Sequence, residues 1–120
     1  MPVTVLLLAA LLAPPRPTRT PTPVPTAQLE RLLVGGWDCV SACPDEAIAF
    51  AIEGGRRTYR SWLHDRPATV GATWSLEGPR LTVRHEANVL YDWEVVRVTR
   101  VRLELKQAGQ DAPIVMRRAR

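Results

Sequence analysis

LLVGGWDCVSACP, at residues 32–44, is the stretch from which the fold can be argued. Two glycines and Trp37 follow a short run of leucine and valine, and Cys39 and Cys43 come directly afterwards. From Gly35 onward apolar and polar residues alternate with a period of two, which is the period of a β-strand with one buried face. The stretch therefore predicts the first strand of a β-domain, with a covalent constraint near its end.

The same alternation continues to the end of the chain and is interrupted at regular intervals by turn residues. Gly54-Gly55 predicts a two-residue hairpin turn, because glycine accepts the positive φ that such turns need. Further breaks are predicted at 65–67, 77–79 and 108–111. About eight short strands at a spacing of roughly ten residues favour an antiparallel meander, closed as a barrel or folded as a sandwich. We expect an all-β fold, a small eight-stranded antiparallel up-and-down barrel, because closure removes exposed strand edges.

Only one segment of the folded part indicates a helix. Residues 28–34, QLERLLV, place Leu29, Leu32 and Leu33 on one side. We expect one or two helical turns that lead into the first strand and whose leucines plug an end of the barrel.

In two of the predicted strands, the alternation indicates which side chains face the interior. Val70, Ala72, Trp74 and Leu76 alternate with small or polar residues and are expected to share one face. Val95 and Val96 are adjacent apolar residues that break the alternation, which indicates a bulge or a change of face.

The first 27 residues differ in composition from the rest of the chain. Residues 5–13 form an unbroken apolar run of nine. A membrane-spanning helix needs about 20 such residues, whereas a run of this length is typical of a secretory signal peptide. Residues 14–27 are rich in proline and threonine and favour an extended tether. We assign 1–27 to a signal peptide and tether and 28–120 to the barrel. Cleavage after Ala13 and cleavage after Ala27 both remain open. In either case we expect a periplasmic or secreted protein with no stable membrane anchor in its mature form.

The charge of the folded part is close to balanced. The whole chain has a formal net charge of +4, but residues 28–120 hold 14 basic and 12 acidic residues. A nucleic-acid-binding protein needs basic residues clustered on one face. The two arginine pairs, 56–57 and 117–118, are expected at a turn and at the terminus, so nucleic acid is not expected as a partner.

Cys39 and Cys43 are the only cysteines in the chain. An isolated pair in an exported protein is expected to form a disulfide. Chain-entropy reasoning predicts about 2 kcal/mol of stabilisation for so short a loop. A zinc site, which usually takes four ligands, and a catalytic redox pair are less favoured alternatives, and free thiols are the alternative for a cytosolic protein. We therefore expect no metal site.

The sequence shows none of the short motifs that mark an enzyme. No Gly-x-Ser-x-Gly, His-Glu-x-x-His or glycine-rich phosphate loop occurs. His64 is expected to be a solvated loop residue. His85 falls on the apolar face of its strand, where it could contact a ligand. We expect a protein without enzymatic activity and without a cofactor.

A family resemblance rests on a short helical lead-in, Gly35-x-Trp37 in the first strand, eight meandering strands and an arginine after the last strand. These features resemble the lipocalin-like (calycin) barrels, in particular the small bacterial lipocalin-like domains of secreted and periplasmic proteins. Residues 71–74, GATW, are similar to the second Gly…Trp strand of those domains. The resemblance implies that Trp37 packs at the closed end beneath Arg117 or Arg118, with the guanidinium stacked on the indole.

The resemblance also implies a function. We expect the barrel to bind a small hydrophobic or amphipathic ligand, held among Trp74, Val83, His85 and Leu103. Because about 85 residues form all eight strands, the loops are short and side chains are expected to fill much of the interior. A large hydrophobic ligand is therefore not expected.

The alternative is an inhibitor of a secreted or envelope hydrolase. The chain is similar to small periplasmic inhibitors of metalloproteases in size, in its Trp-bearing first strand and in its single disulfide. A cavity above about 300 Å³ would favour the ligand carrier. A filled barrel with an exposed aromatic patch, for which Trp62 and Tyr91 are the candidates, would favour the protein partner.

Overall fold

The computed structural model describes residues 25–120. A helix precedes eight strands, which are α1 (Thr26–Leu33), β1 (Gly35–Ser41), β2 (Ala47–Glu53), β3 (Arg56–Leu63), β4 (Arg66–Glu77), β5 (Arg80–His85), β6 (Asn88–Val98), β7 (Arg102–Gln107) and β8 (Ile114–Arg118). Each strand pairs antiparallel with its neighbours in sequence, and β8 pairs with β1, so the sheet closes on itself. The predicted eight-stranded up-and-down barrel with a short N-terminal helix is confirmed.

The two ends of the barrel differ, because α1 covers only one of them. We call this the capped end; β1 and β3 begin there, and β6 and β8 end there. The opposite end, called the far end, carries the loop 42–46 and the turns 64–65 and 86–87. Leu29 and Leu33 of α1 are buried against the core, and Glu30 pairs with Arg57 at 2.6 Å, at the start of β3. α1 begins before Gln28 and ends at Leu33, one residue earlier than predicted.

The turns follow the sequence with one correction. Gly54 and Gly55 have φ angles of 57° and 78° and form the predicted hairpin turn. The next turn lies at His64 and Asp65, with φ angles of 53° and 59°, and Pro67 lies within β4. The break predicted at 65–67 therefore lies one or two residues earlier, at 64–65. Histidine and aspartate enter the left-handed region more readily than most residues, so they close this turn without glycine.

Irregularities in β4 and β6 decide which side chains face inward. The pairing of β3 with β4 shifts on either side of Ser61, and Gly71 adopts a φ of 79°. Val70 is consequently 60% exposed, while Ala72 is buried. The prediction that Val70 shares the face of Ala72 is wrong, because an extra residue in a strand reverses the face of everything beyond it. In β6 the predicted bulge is present, with Val95 buried and Val96 exposed.

The predicted leader and tether fall largely outside the described residues. Only their last three residues are described, and Thr26 and Ala27 of these belong to α1. Within residues 25–120, no helix has the length and apolar character needed to cross a bilayer.

Candidate functional site

Trp37 and Arg118 meet at the capped end. The guanidinium carbon of Arg118 lies 3.8 Å from the centre of a Trp37 ring. The same guanidinium donates hydrogen bonds to the carbonyls of Leu32 at 2.6 Å and Val34 at 3.0 Å. Burial lowers the pKa of Arg118 below its usual value. Of the two arginines that the resemblance offered, Arg118 takes the place over the indole, whereas Arg117 is exposed on the outer face.

Cys39 and Cys43 form the predicted disulfide, with their Cα atoms 5.9 Å apart. The bridge joins the end of β1 to the loop 42–46 at the far end. Asp45, two residues after Cys43, is half-buried in this loop. The disulfide therefore limits the freedom of the loop that carries Asp45 over the far end.

The four residues predicted to hold a ligand do not all lie together. Trp74 and Val83 are paired across β4 and β5, and Leu103 belongs to the same buried core. Val83 and Leu103 have no exposed surface, and Trp74 is 3% exposed. His85 lies apart from them at the end of β5, half-buried and outside that core. Ligand contact by these four residues stays a prediction.

Aromatic rings occupy the middle of the barrel. The ring of Phe50 lies 5.4 Å from that of Tyr59 and 5.5 Å from that of Trp74, measured between centroids. On the opposite wall, Tyr91 stacks on Trp93 with centroids 4.5 Å apart. Tyr59 contacts both Tyr91 and Trp93, with centroids 6.3 and 6.4 Å away. These contacts link β3 with β6 through the interior.

Three side chains of this interior carry polar groups that sequence reasoning did not select as a site. The Tyr59 hydroxyl, the Ser61 hydroxyl and the Trp93 indole N–H are buried and have no hydrogen-bond partner among the described residues. Tyr59 and Ser61 have no exposed surface, and Trp93 is 1% exposed. By contrast, the indole of Trp37 donates to Leu33 at 2.9 Å. Buried polar groups are normally paired, so three unpaired groups in adjoining side chains indicate a site for a polar partner.

The electrostatics of this interior keep its phenols neutral. Burial raises the pKa of Tyr59, and the neighbouring Tyr91 and Asp45 raise it further. Burial also raises the pKa of Tyr91, again with a contribution from Asp45. Both hydroxyls therefore carry their protons at neutral pH, and the Asp45 carboxylate sets a negative potential close to them.

A weak signal for this site was present in the sequence. Alternation along β3 places Tyr59, Ser61 and Leu63 on one face, and Tyr59 clearly belongs to the core. A serine on the buried face of a strand is a polar residue that requires a partner. Nothing in the sequence of β3 indicates that Trp93 lies across the barrel.

The outer surface carries grooves beside the capped end. One, of about 570 Å³, is lined by Trp74, Arg57 and the start of α1, with the Arg57 guanidinium carbon 5.7 Å from the centre of a Trp74 ring. Another, of about 460 Å³, lies between α1 and β6 and is lined by Leu32, Val96 and Val98 among others. Both are open surface grooves outside the barrel wall, so neither is the interior cavity that would favour a ligand carrier.

The candidate aromatic patch does not form. Trp62 lies on the outer wall in a shallow groove with Pro67 and Val70, whereas Tyr91 is turned inward onto Trp93. The far half of the barrel instead exposes aliphatic side chains, which are Val40, Leu63, Val70, Val89 and Leu90.

We compared the chain with protein families, curated proteins and solved structures. No family model, curated protein or solved structure matches the chain. The closed barrel of eight antiparallel strands in sequence order is compatible with a calycin-like fold.

Proposed function

We propose that the chain is an exported, non-enzymatic, lipocalin-like barrel that binds a small neutral amphipathic molecule among the aromatic rings in the middle of its interior. The observation that carries this proposal is the group of three buried, unpartnered polar side chains, Tyr59, Ser61 and Trp93. A buried hydrogen-bonding group without a partner costs roughly 1–3 kcal/mol. A ligand that supplies the missing partner recovers this free energy.

The chemistry of the three groups limits the ligand. The indole N–H of Trp93 can only donate, whereas the hydroxyls of Tyr59 and Ser61 can donate or accept. A ligand with an acceptor oxygen, such as an amide, ketone or alcohol, can accept a hydrogen bond from the Trp93 indole and from one of the hydroxyls. The potential of Asp45, which already raises the pKa of Tyr59, opposes a carboxylate ligand. Trp74, Val83 and Leu103 supply apolar surface for the rest of the molecule, and His85 lies near the rim.

The proposed location follows from the disulfide. Disulfides persist in oxidising compartments, and the bond between Cys39 and Cys43 is compatible with a periplasmic or secreted bacterial protein. The lipocalin-like relationship is proposed from the helical lead-in, the Gly35-x-Trp37 strand and the contact of Arg118 with Trp37.

The ligand proposal can be tested by NMR of the tryptophan indole N–H signals. The probes are butanamide, butanol, butanoate and butylammonium, which share an alkyl chain and differ in their polar group. We expect butanamide and butanol to shift the Trp93 indole signal, because its N–H gains an acceptor. Trp37 at the capped end is the internal control, since its indole already donates to Leu33 and it is not among the residues proposed to contact the ligand. If the Trp93 signal responds to none of the four, or equally to butanoate, the proposal is wrong.

A second candidate function is inhibition of a secreted or envelope hydrolase. The aliphatic side chains exposed around the far half favour a protein partner, because Leu63 is 41% and Val70 60% exposed. The test adds the purified protein to secreted hydrolases and measures cleavage of casein and of ester substrates. Inhibition that Leu63→Asp and Val70→Asp abolish, while Ile52→Asp at the capped end does not, supports this candidate.

A further inference from the structure

Two segments far apart in sequence bring six arginines together at the capped end. Pairing of β7 with β8 places Arg102 opposite Arg117. The backbone N–H of Arg118 donates to the carbonyl of Val101 at 2.9 Å, which joins the C-terminal end to the β6–β7 turn. The six are Arg97, Arg100, Arg102, Arg117, Arg118 and Arg120. We call the surface formed by residues 96–102 and 117–120 the arginine face.

The charges of the arginine face are only partly balanced. Arg102 pairs with Glu104 at 2.9 Å, and Arg118 is turned inward over Trp37. The other four arginines are exposed, and none of them forms a salt bridge with any residue in 25–120. Like charges opposite each other on paired strands are destabilising, and Arg102 and Arg117 occupy such a pair. Asp38 of β1 lies opposite Arg117 and Glu104 lies opposite Arg97, but neither carboxylate forms a salt bridge with these two arginines. A surface of this kind is complementary to an anionic partner.

Exposed aliphatic side chains lie among these arginines. Val96 is 55% and Val101 68% exposed; Val96 lies near the end of β6 and Val101 lies in the β6–β7 turn. Arginines that contact headgroups, together with aliphatic side chains that reach the acyl boundary, are what peripheral binding to an anionic bilayer requires. The arginine face contains no aromatic residue, so it lacks the stacking surface with which proteins bind single-stranded nucleic acids.

The two ends of the barrel differ in charge. Five carboxylates lie in the far-end loops and turns, which are Asp45, Glu46, Asp65, Glu86 and Asp111. Among the described residues, the same end carries only two exposed arginines, Arg66 and Arg84, so its net charge is negative. A molecule with a positive and a negative end turns its positive end toward a negative surface.

From these observations we propose that the arginine face docks the capped end onto an anionic phospholipid surface. The four exposed arginines bind the headgroups, and Val96 and Val101 enter the interface. The far end of the barrel then faces the aqueous phase.

The test measures co-sedimentation of the purified protein with vesicles. One set contains phosphatidylcholine alone and the other phosphatidylcholine mixed with phosphatidylglycerol. We expect binding to the mixed vesicles at low salt and its loss in about 1 M salt, where the Debye length falls to about 3 Å. The variant pair Arg97→Gln/Arg117→Gln should bind about 25-fold more weakly, since each basic residue near the surface contributes about fivefold. All variants keep the same N-terminus, so residues 1–24 contribute equally to each.

The matched control is Arg66→Gln/Arg84→Gln, which removes two exposed arginines on the side away from α1. It should bind within about twofold of the unchanged protein. Val101→Ser, an exposed position, should weaken binding while leaving its salt dependence unchanged. Equal loss in both arginine pairs, or equal binding to uncharged vesicles, would each overturn the proposal.

Discussion

Arg118 and Trp37 join the last strand of the barrel to the first, with the guanidinium carbon 3.8 Å from the centre of an indole ring. The guanidinium also donates to three carbonyls, those of Leu32 and Val34 beside α1 and that of Arg100 in the β6–β7 turn. One side chain thus connects the helix, both closing strands and a turn. The capped end depends on it more than on any exposed arginine.

Arg118→Ala should destabilise the protein by about 3 kcal/mol, because carbonyls lose a charged donor and the indole loses its cation. Urea unfolding followed by tryptophan fluorescence measures the change. Arg117→Ala is the matched control and should stay within about 0.5 kcal/mol, since its side chain is exposed. Similar losses in the two variants would contradict the role assigned to Arg118.

Gly35→Ala should also destabilise the capped end. A Cβ on Gly35 would lie 2.7 Å from Nη1 of Arg118, and Gly35 has a φ of 129°. We expect a loss of about 3 kcal/mol from strain and the displaced guanidinium. Gly78→Ala separates the two effects, because Gly78 also has positive φ but its Cβ would meet nothing within 4 Å. A thermal melt should therefore show a clearly smaller decrease for Gly78→Ala.

Removal of the disulfide should cost about 2 kcal/mol, which is the chain-entropy value for its short loop. The double variant Cys39→Ser/Cys43→Ser and the reduced protein should lose the same amount in urea unfolding. Alkylation without reductant should label neither cysteine. Full labelling of the protein isolated from its own compartment would show that the bond is not formed there.

Tyr59→Phe should stabilise the ligand-free protein by about 1 kcal/mol, because it removes a buried hydroxyl that has no partner among the described residues. Ser61→Ala should act in the same direction. Tyr91→Phe, in which the lost hydroxyl is less deeply buried, serves as the control and should change little. A destabilisation by Tyr59→Phe in chemical unfolding would mean that the hydroxyl is satisfied in the free protein.

Tyr59 should also control stability in alkali. Burial raises the folded-state pKa of Tyr59 above the ordinary value of 10.0. Below about pH 10 the phenol is protonated in both states, so its contribution to stability is complete. As the pH rises further the unfolded state ionises first, and the free energy of unfolding falls. Unfolding measured between about pH 9 and about pH 12 should show a shallower fall for Tyr59→Phe.

Sequence reasoning reached the architecture because strand period, turn glycines and cysteine spacing are local properties. Gly54-Gly55 marked its hairpin turn correctly, and Cys39 and Cys43 indicated their bond. Val70 was assigned to the wrong face, because a bulge changes the face without changing the composition of the strand. The break predicted at 65–67 lies instead at His64 and Asp65, because β4 accommodates Pro67.

The candidate site was less accessible to such reasoning. Alternation placed Ser61 on the same face as Tyr59, but no pattern within β3 identifies what stands across the barrel. The contact of Tyr59 with Trp93 arises only when β6 closes opposite β3. The arginine pair at 117–118 was expected to be a solvated terminus, and its meeting with Arg102 depends on the pairing of β7 with β8.

The sequence by itself determined the number and order of strands, the helix before them and the disulfide, because residue periodicity and spacing dictate these features locally. Only the tertiary structure decided that Arg118 rather than Arg117 covers Trp37, and that the rings of Tyr59 and Trp93 lie against each other across the barrel. The physical reason is strand register: a shift of one residue turns a side chain from the interior to the solvent, and register is settled only when the barrel closes.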